Sequence, residues 1–475
     1  MRSQAACLTP AKRGGPRDLK RSERSLRPSA NGRQRNAEER LHALWVYAAL
    51  PGSALIVLLL ALARGYLIRV HAVNVPYWDE WDQLSGLSAR LDFSWLWGLH
   101  NEHRIVTTRF VIWLLYQFDG WNLITGLWVN YEVYLLVPAL FLVIARQDAT
   151  GGHWALVPFL IFFFSNAGAE NDVAGFQIQW RFFVVFLLLA VWLLFDEKQR
   201  WGTILAGVLC LVLSMVSLAS GIPAAAALIG VYAGFKLARL RAGFPARREL
   251  GGLALTALLT AAGAAVWLIG WHKNPSHPPL VLPTHRLFWM HLLNQVSLTI
   301  GTDFPFAPLG AGILAALGTI LGADAWRHRM HPSPGRWRRM GIAAACLAAL
   351  ASISMARAGF GSGQAASSRY FEVALLLLPV MVLGGHAALG RRGRRWFLAL
   401  LFAVCAFGFS QRWSERPYRN HEELLASGVV CLQQNMKLGR ALNCGTLYPG
   451  PLDGYVERAK LLNLSFYRGS LSGLP

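Results

Sequence analysis

Three carboxylates stand among three aromatic rings in NVPYWDEWDQL, residues 74–84: Asp79, Glu80 and Asp82 beside Tyr77, Trp78 and Trp81. A carboxylate held among rings loses water, and its pKa rises toward the range of a useful general base. If 77–84 is helical, Asp79 and Asp82 share a face, while Glu80 points about 100° away. Trp78 and Trp81 also recur at three, so such a helix lies flat with its indoles at headgroup level. Interfacial anchoring accounts for the tryptophans. It does not account for three acids, which gain nothing beside an anionic surface.

Four further stretches carry candidate chemistry. LHNEHRIVTTRF, residues 99–110, gathers His100, Glu102, His103 and Arg104. Metal ligation together with Asp79, proton handling and phosphate binding are all open to this set. AGAENDVAGFQIQWRF, residues 167–182, holds Glu170 and Asp172; Asp172 serves equally well as the acidic start of the next helix. ARAGFGSGQAASSRYFE, residues 356–372, alternates Gly359, Gly361 and Gly363 between Arg357 and Arg369, with Tyr370 following. Glycine amides and arginine forks suit an anion, yet the segment has no Walker lysine, so a nucleotide site is not indicated. HKNPSHPPLVLPTHRLFWMHLL, residues 272–293, is too rich in proline at its start to be regular helix, and reads as a lid or as a connector.

The elements that must position these groups are membrane helices. The chain has 475 residues, 54% hydrophobic and only 15% charged. Apolar runs near 43–66, 124–145, 153–168, 180–196, 202–220, 222–240, 250–271, 306–325, 341–357, 371–390 and 396–411 predict an all-α polytopic membrane protein. The loops richest in Arg and Lys, 236–249, 326–340 and 391–395, belong in the cytoplasm. Parity then requires residues 105–118 to lie on the outer interface as an amphipathic helix, not to cross. The expectation is about 11 transmembrane helices, N-terminus inside and C-terminus outside, in the cytoplasmic membrane of a bacterium. Outer segments 67–123, 169–180, 272–305 and 357–370 then share one side. Residues 1–42 read as a disordered basic cytoplasmic tail, 43–411 as the membrane domain, and 412–475 as a small exported helical region.

The net charge of +21 does not point to nucleic acid, because the basic residues are short clusters between apolar runs. Of six cysteines, Cys210, Cys346 and Cys405 fall in apolar runs and Cys7 in the tail; no zinc spacing occurs. Cys431 and Cys444 share the polar C-terminal region and can pair if it is exported.

Taken together, the acidic pair Asp79–Glu80 just after the first helix, the segment NEHRIVTTRFVIWLLYQF before the second, the acid Glu170 or Asp172 in the next outer loop, and the C-terminal region resemble the GT-C superfamily of membrane glycosyltransferases. Protein O-mannosyltransferases and lipid A aminoarabinose transferases are members. HNEHR stands where many relatives carry His-Pro-Pro. The resemblance spans most of 43–411. It implies transfer of a sugar from a polyprenyl-phosphate carrier to an acceptor on the outer face. Asp79 would be the general base; Glu80 or Asp172 would orient the acceptor or hold a divalent metal; Arg104, Arg357 and Arg369 would meet the lipid phosphate. His103, Glu170 and Tyr370 would complete the substrate contacts. The rival readings are a transporter or flippase of a lipid-linked saccharide and a structural protein of the cell envelope. A transporter should carry ionisable groups at mid-membrane and repeated halves; no repeat is seen, and Glu132 and Glu372 lie near run ends.

Overall fold

The computed structural model describes residues 30–148, 152–301, 306–327 and 333–471. Residues 1–52 and 53–475 form two units, and the site lies wholly in the second. Most of the tail expected over 1–42 lies outside the described residues. Its last part, from 30, belongs to the first helix, as its run of Ala, Glu, Arg and Leu allows.

The described residues are nearly all-α, with one short two-stranded hairpin. Helix α1, Ala30–His71, is followed by two short helices, α2 (Asp79–Gln83) and α3 (Phe93–Trp97), and by a two-stranded hairpin, β1 (Leu99–His100) with β2 (His103–Arg104). Then come α4 (Val106–Asp119), α5 (Leu123–Arg146), α6 (His153–Leu160), α7 (Ala169–Val173), α8 (Ile178–Leu194), α9 (Trp201–Met215), α10 (Gly221–Arg241) and α11 (Ala246–Leu268). The second half holds α12 (Arg286–Ser297), α13 (Ala307–Arg327), α14 (Pro334–Arg357), α15 (Phe371–Leu375), α16 (Leu377–Ala388), α17 (Arg391–Arg412), α18 (Arg416–Lys437) and α19 (Asp453–Leu461).

Among the described residues, nine helical segments are long and apolar enough to cross a membrane: those of α1, α5, α8, α10, α11, α13, α14, α15–α16 and α17. The protein is therefore a polytopic, membrane-embedded helical protein. Two of the eleven expected runs form shorter apolar helices, Trp154–Phe164 and Trp201–Met215. The first is short because Pro158 and a turn of 3-10 helix interrupt it. Helix α4 has only 14 residues, too few to span. It stops where Gly120 takes φ 72°, and α5 starts three residues later, with the side chain of its N-cap Asn122 accepting from the Ile124 amide at 3.0 Å.

A second apolar core stands apart from that of the membrane helices. It joins Trp81, Leu84, Trp95, Ile112 and Trp121 to Leu432, Leu447 and Phe466. The loop between α1 and α5 and the C-terminal region thus fold as one body. Cys431 and Cys444 are disulfide-bonded within it. Trp81 is fully buried there, edge-on to Phe466 at 5.5 Å between centroids. The expectation of a flat helix with both indoles in the headgroups is corrected. Trp78 precedes the helix with φ 47° and ψ −118°, so helical periodicity does not relate it to Trp81.

Candidate functional site

Two lobes meet at Asp79. One, of about 320 Å³, is lined mainly by Trp267, Leu268, Trp271, Ile222, Leu280 and Ile353. The other, of about 480 Å³, is lined by aromatic and polar side chains, Val173 and Ala174 being its aliphatic members. Their common wall is Asp79, Asn101, Phe176, Gln177, Arg357 and Arg369. So residues 278 and 290 positions downstream of Asp79 are brought to it, as 79 from 357 and from 369 gives. The end of α14 delivers Arg357, and a 3-10 turn, Ser368–Tyr370, delivers Arg369.

The Asp79 carboxylate is fixed from behind. Its Oδ2 lies 3.4 Å from His100 Nε2. Gln83 Nε2 lies 3.5 Å from His100 Nδ1 and donates to the Asp79 carbonyl at 3.0 Å. The orientation of that amide is not free, because Arg109 Nε donates to Gln83 Oε1 at 3.0 Å. Arg109 in turn is held by the carbonyls of Trp95 and Gly98. Nδ1 of His100 therefore faces an N–H donor. Nε2 faces the Asn101 amide at 3.4 Å and the carboxylate. With the Gln83 amide donating to Nδ1, the ring proton sits on Nε2, directed at Asp79, and the Asn101 Nδ2 amide beside it does not have the imidazole as an acceptor. Arg109, read from the sequence as a charge on an interfacial helix, is a buried brace for the tautomer of His100.

The acid–base character follows. Burial pushes the Asp79 pKa up, but the hydrogen bond from His100, with the Arg369 charge beyond, outweighs it and holds the group below the usual carboxylate value. The expected upward shift among indoles is thus reversed. Asp79 is an anion throughout the neutral range and can accept a proton. Glu80 is the acid whose pKa rises: burial takes it to about 7 against the amides that oppose the shift. Yet Glu80 accepts from the backbone N–H of Tyr77 at 3.0 Å and of Phe176 at 3.1 Å. It clips the segment after α1 to the one before α8 and lines neither lobe.

The remaining sequence candidates divide. His103 lines the apolar lobe; its Nδ1 accepts from the Ala219 amide at 3.3 Å, so Nε2 carries the proton. Burial first, then Arg357 and His100, lower its pKa to about 3, so it is a neutral donor and not a cation. Glu170 lies in the polar lobe and pairs with Arg369 at 2.6 Å, steadied by Ser367 and Ser368. Tyr370 lines the apolar lobe against Trp180, its hydroxyl accepting from Gln364 Nε2 at 3.3 Å. Arg104 does not reach the cavity. Its guanidinium donates to the carbonyls of Trp267, Trp97 and Ile269, tying β2 to the end of α11.

Asp172 is not at the cavity either. It is fully buried between Arg64, at 2.7 and 2.9 Å, and Arg181, with the Tyr418 hydroxyl as a further donor. Glu372 completes the cluster, 3.0 Å from Arg181 and 3.7 Å from Arg64. Burial alone would raise the Asp172 pKa; the two guanidiniums prevail and keep it ionised. Every acceptor direction is taken, so it has no lone pair left for a substrate. Its work is to join α1, α7, α8 and α18.

Several cavity residues were not singled out from the sequence. Lys273 lines the apolar lobe and His277 the polar one. They come from the Pro-rich segment, which straps the site. His277 pairs with Glu102, Asn274 Nδ2 donates to Asn101 Oδ1 at 2.9 Å, and the Val281 amide donates to the Met355 carbonyl at 2.8 Å. The prolines gave the absence of helix but not the direction of the strap. As for a metal, the ligand atoms of Asp79, Asp82 and His100 lie within 4.8 Å of one another, a spacing that could hold a divalent ion. Asp82 Oδ1 is already bonded by the hydroxyls of Tyr448, at 2.7 Å, and Tyr455, at 3.1 Å.

No protein-family model, no curated protein and no solved structure matches the chain. Function is therefore a question for the chemistry of the cavity.

Proposed function

We propose that the protein is a glycosyltransferase that takes a sugar from a polyprenyl-phosphate carrier and passes it to an acceptor on the outer face of a bacterial cytoplasmic membrane. One observation carries the reading. A carboxylate anion, Asp79, and two arginines, Arg357 and Arg369, share the wall between an apolar lobe and a polar lobe. A lipid-linked sugar has the same division: a hydrocarbon chain, a phosphate and a polar ring. The first isoprene units would lie among Trp267, Leu268 and Leu280. The phosphate would sit at Arg357 and Arg369, with Lys273 and the His103 Nε2–H nearby, where fixed donors meet the charge that grows on it. The sugar would project into the polar lobe.

The chemistry is a single displacement. The acceptor oxygen bonds to the anomeric carbon, the bond from that carbon to the phosphate oxygen breaks, and its electron pair leaves with the lipid phosphate. The acceptor proton passes to Asp79, which His100 aims. One displacement inverts the anomeric centre. The topology that goes with this reading has eleven crossings, the two short apolar helices included, with the N-terminus inside and the C-terminal region outside.

The buried Arg64–Asp172–Arg181–Glu372 cluster is where a transporter reading would look for an ion path. Its two positive and two negative charges satisfy one another, and the void beside Asp172 is only about 10 Å³. The enzyme reading is tested by donor binding. Polyprenyl monophosphate should bind the protein in nanodiscs, and Arg357→Ala and Arg369→Ala should each weaken it about tenfold or more, the value of one charge-assisted hydrogen bond. Binding unaltered in both variants would overturn the assignment of the phosphate site.

A further inference from the structure

The polar lobe holds information about the second substrate. Its lining has two elements of one kind: broad aromatic faces, and side chains that end in flat hydrogen-bonding groups. Trp78 and Phe360 are 48% and 46% exposed, although each lies on the wall of a cavity. Gln177, Gln364, Glu170 and Arg369 supply amides, a carboxylate and a guanidinium. Gln177 Oε1 is buried and lacks a hydrogen-bond partner.

Trp78 carries the argument furthest. Its φ of 47° and ψ of −118° are disfavoured for a residue with a bulky side chain. The surroundings impose the conformation: the Trp78 amide donates to the Leu447 carbonyl at 2.8 Å, and Asp79 begins α2 immediately after it. A tryptophan that served only to meet lipid would not need a strained backbone. Here the strain holds the indole in the polar lobe next to the proton acceptor. Phe360 is held in its own way, with the Arg357 guanidinium over its ring at 5.4 Å and the His277 ring edge-on at 5.4 Å.

Three acceptor classes make different demands on such a lobe. A lipid headgroup with its chains would need aliphatic lining, and Val173 and Ala174 are all that the lobe offers. A peptide laid along an edge would need an open strand, and the residues that line the lobe belong to helices, turns and loops, none to a strand. A pyranose offers a face of C–H bonds and a rim of hydroxyls, each both donor and acceptor. Rings take the face and flat polar groups take the rim. We infer that the acceptor is a saccharide, bound with a ring face on Trp78 so that one of its hydroxyls meets Asp79. The inference rests on the transfer reading only for the fate of that hydroxyl; the binding stands by itself.

The test is saturation-transfer NMR on the full chain in nanodiscs. Three probes are used separately: oligosaccharides released by mild acid from the surface of the cells that make the protein, a Ser/Thr-rich peptide, and a short-chain phosphatidylethanolamine. Ring protons of the saccharide should receive saturation and the other two probes should not. Trp78→Ala should weaken the saccharide about five- to tenfold, as loss of one stacked ring does. Phe360→Ala lies away from the strained turn and should also weaken it, which covers the case that Trp78→Ala fails to fold. Saturation of the peptide or the lipid alone, none of the saccharide, or a saccharide signal that survives both substitutions would overturn the inference. The two readings fail separately. Saccharide binding through Trp78 beside surface glycans untouched by Asp79→Asn would sink the transfer and keep the acceptor class; lost glycans without saccharide binding would do the reverse.

Discussion

Replacing Asp172 by asparagine should unfold the protein without touching its chemistry. The carboxylate is bound by two guanidiniums and a tyrosine hydroxyl, and Arg64, Arg181 and Asp172 are each no more than 1% exposed in the side chain. Asp172 and Glu372 balance Arg64 and Arg181. The asparagine leaves one positive charge in excess and turns N–H donors toward donors. Removing one partner of a buried ion pair typically costs about 3–5 kcal/mol, because the other stays desolvated and unpaired. At about 1.4 kcal/mol per factor of ten, that is roughly a hundred- to several-thousand-fold in the unfolding equilibrium. Unfolding by SDS from mixed micelles, read by tryptophan fluorescence, measures it. A second substitution, Arg64→Gln on top of Asp172→Asn, restores the balance of charge and should recover part of the loss. A cost for Asp172→Asn within about 1 kcal/mol of zero, the range of an exposed pair, would refute the reasoning. Activity lost in a variant of unchanged stability would instead return Asp172 to the chemistry.

Three more outcomes follow from the same geometry. The Glu80 pKa is raised from the usual carboxylate value to about 7, so between about pH 4.5 and 7 the folded state holds a proton that the unfolded state has lost; stability should fall as pH rises through that window, by on the order of 2 kcal/mol, and Glu80→Gln should remove the slope. In ¹⁵N-histidine spectra at neutral pH, His100 should carry its proton on Nε2, and Gln83→Glu, which gives Nδ1 an acceptor, should move it to Nδ1; a proton on Nδ1 in the parent protein would break the chain from Arg109 to Asp79. Reduction of the Cys431–Cys444 bond, which closes a loop of the length for which about 3 kcal/mol is usual, should open residues 438–452 to protease, and with them Leu447 and Tyr448, which hold Trp78 and Asp82.

Much of the scaffold was legible because lipid demands it. Long apolar runs separated by arginine clusters can satisfy their backbone in hydrocarbon only as helices, and nine of them do so over lengths that span. The short helix Asp79–Gln83 was also readable, and Asp79, Arg357 and Arg369, expected at one pocket, do line a common wall. What the sequence hid depends on contacts between distant segments. Nothing local marks Arg64 as the partner of Asp172, 108 positions away, so a saturated structural acid read as a catalytic one. Arg104 was expected at the lipid phosphate and Arg109 on an interfacial helix; backbone carbonyls brought by folding absorb the first, and the bond to Gln83 makes the second a brace. Trp81 matched an interfacial anchor until the C-terminal region covered it. Asp79 was expected to titrate high because rings flank it in sequence, whereas in space its neighbours are a histidine and an arginine.

The central claim is that Asp79 accepts the proton of an incoming hydroxyl at an outward-facing cavity. Asp79→Asn is nearly isosteric and removes only the charge. Cells carrying it should make the protein at the normal level and with normal resistance to SDS, and should lose the sugar from their surface glycans. Glycans identical to those of the parent, at the same protein level, would contradict the account.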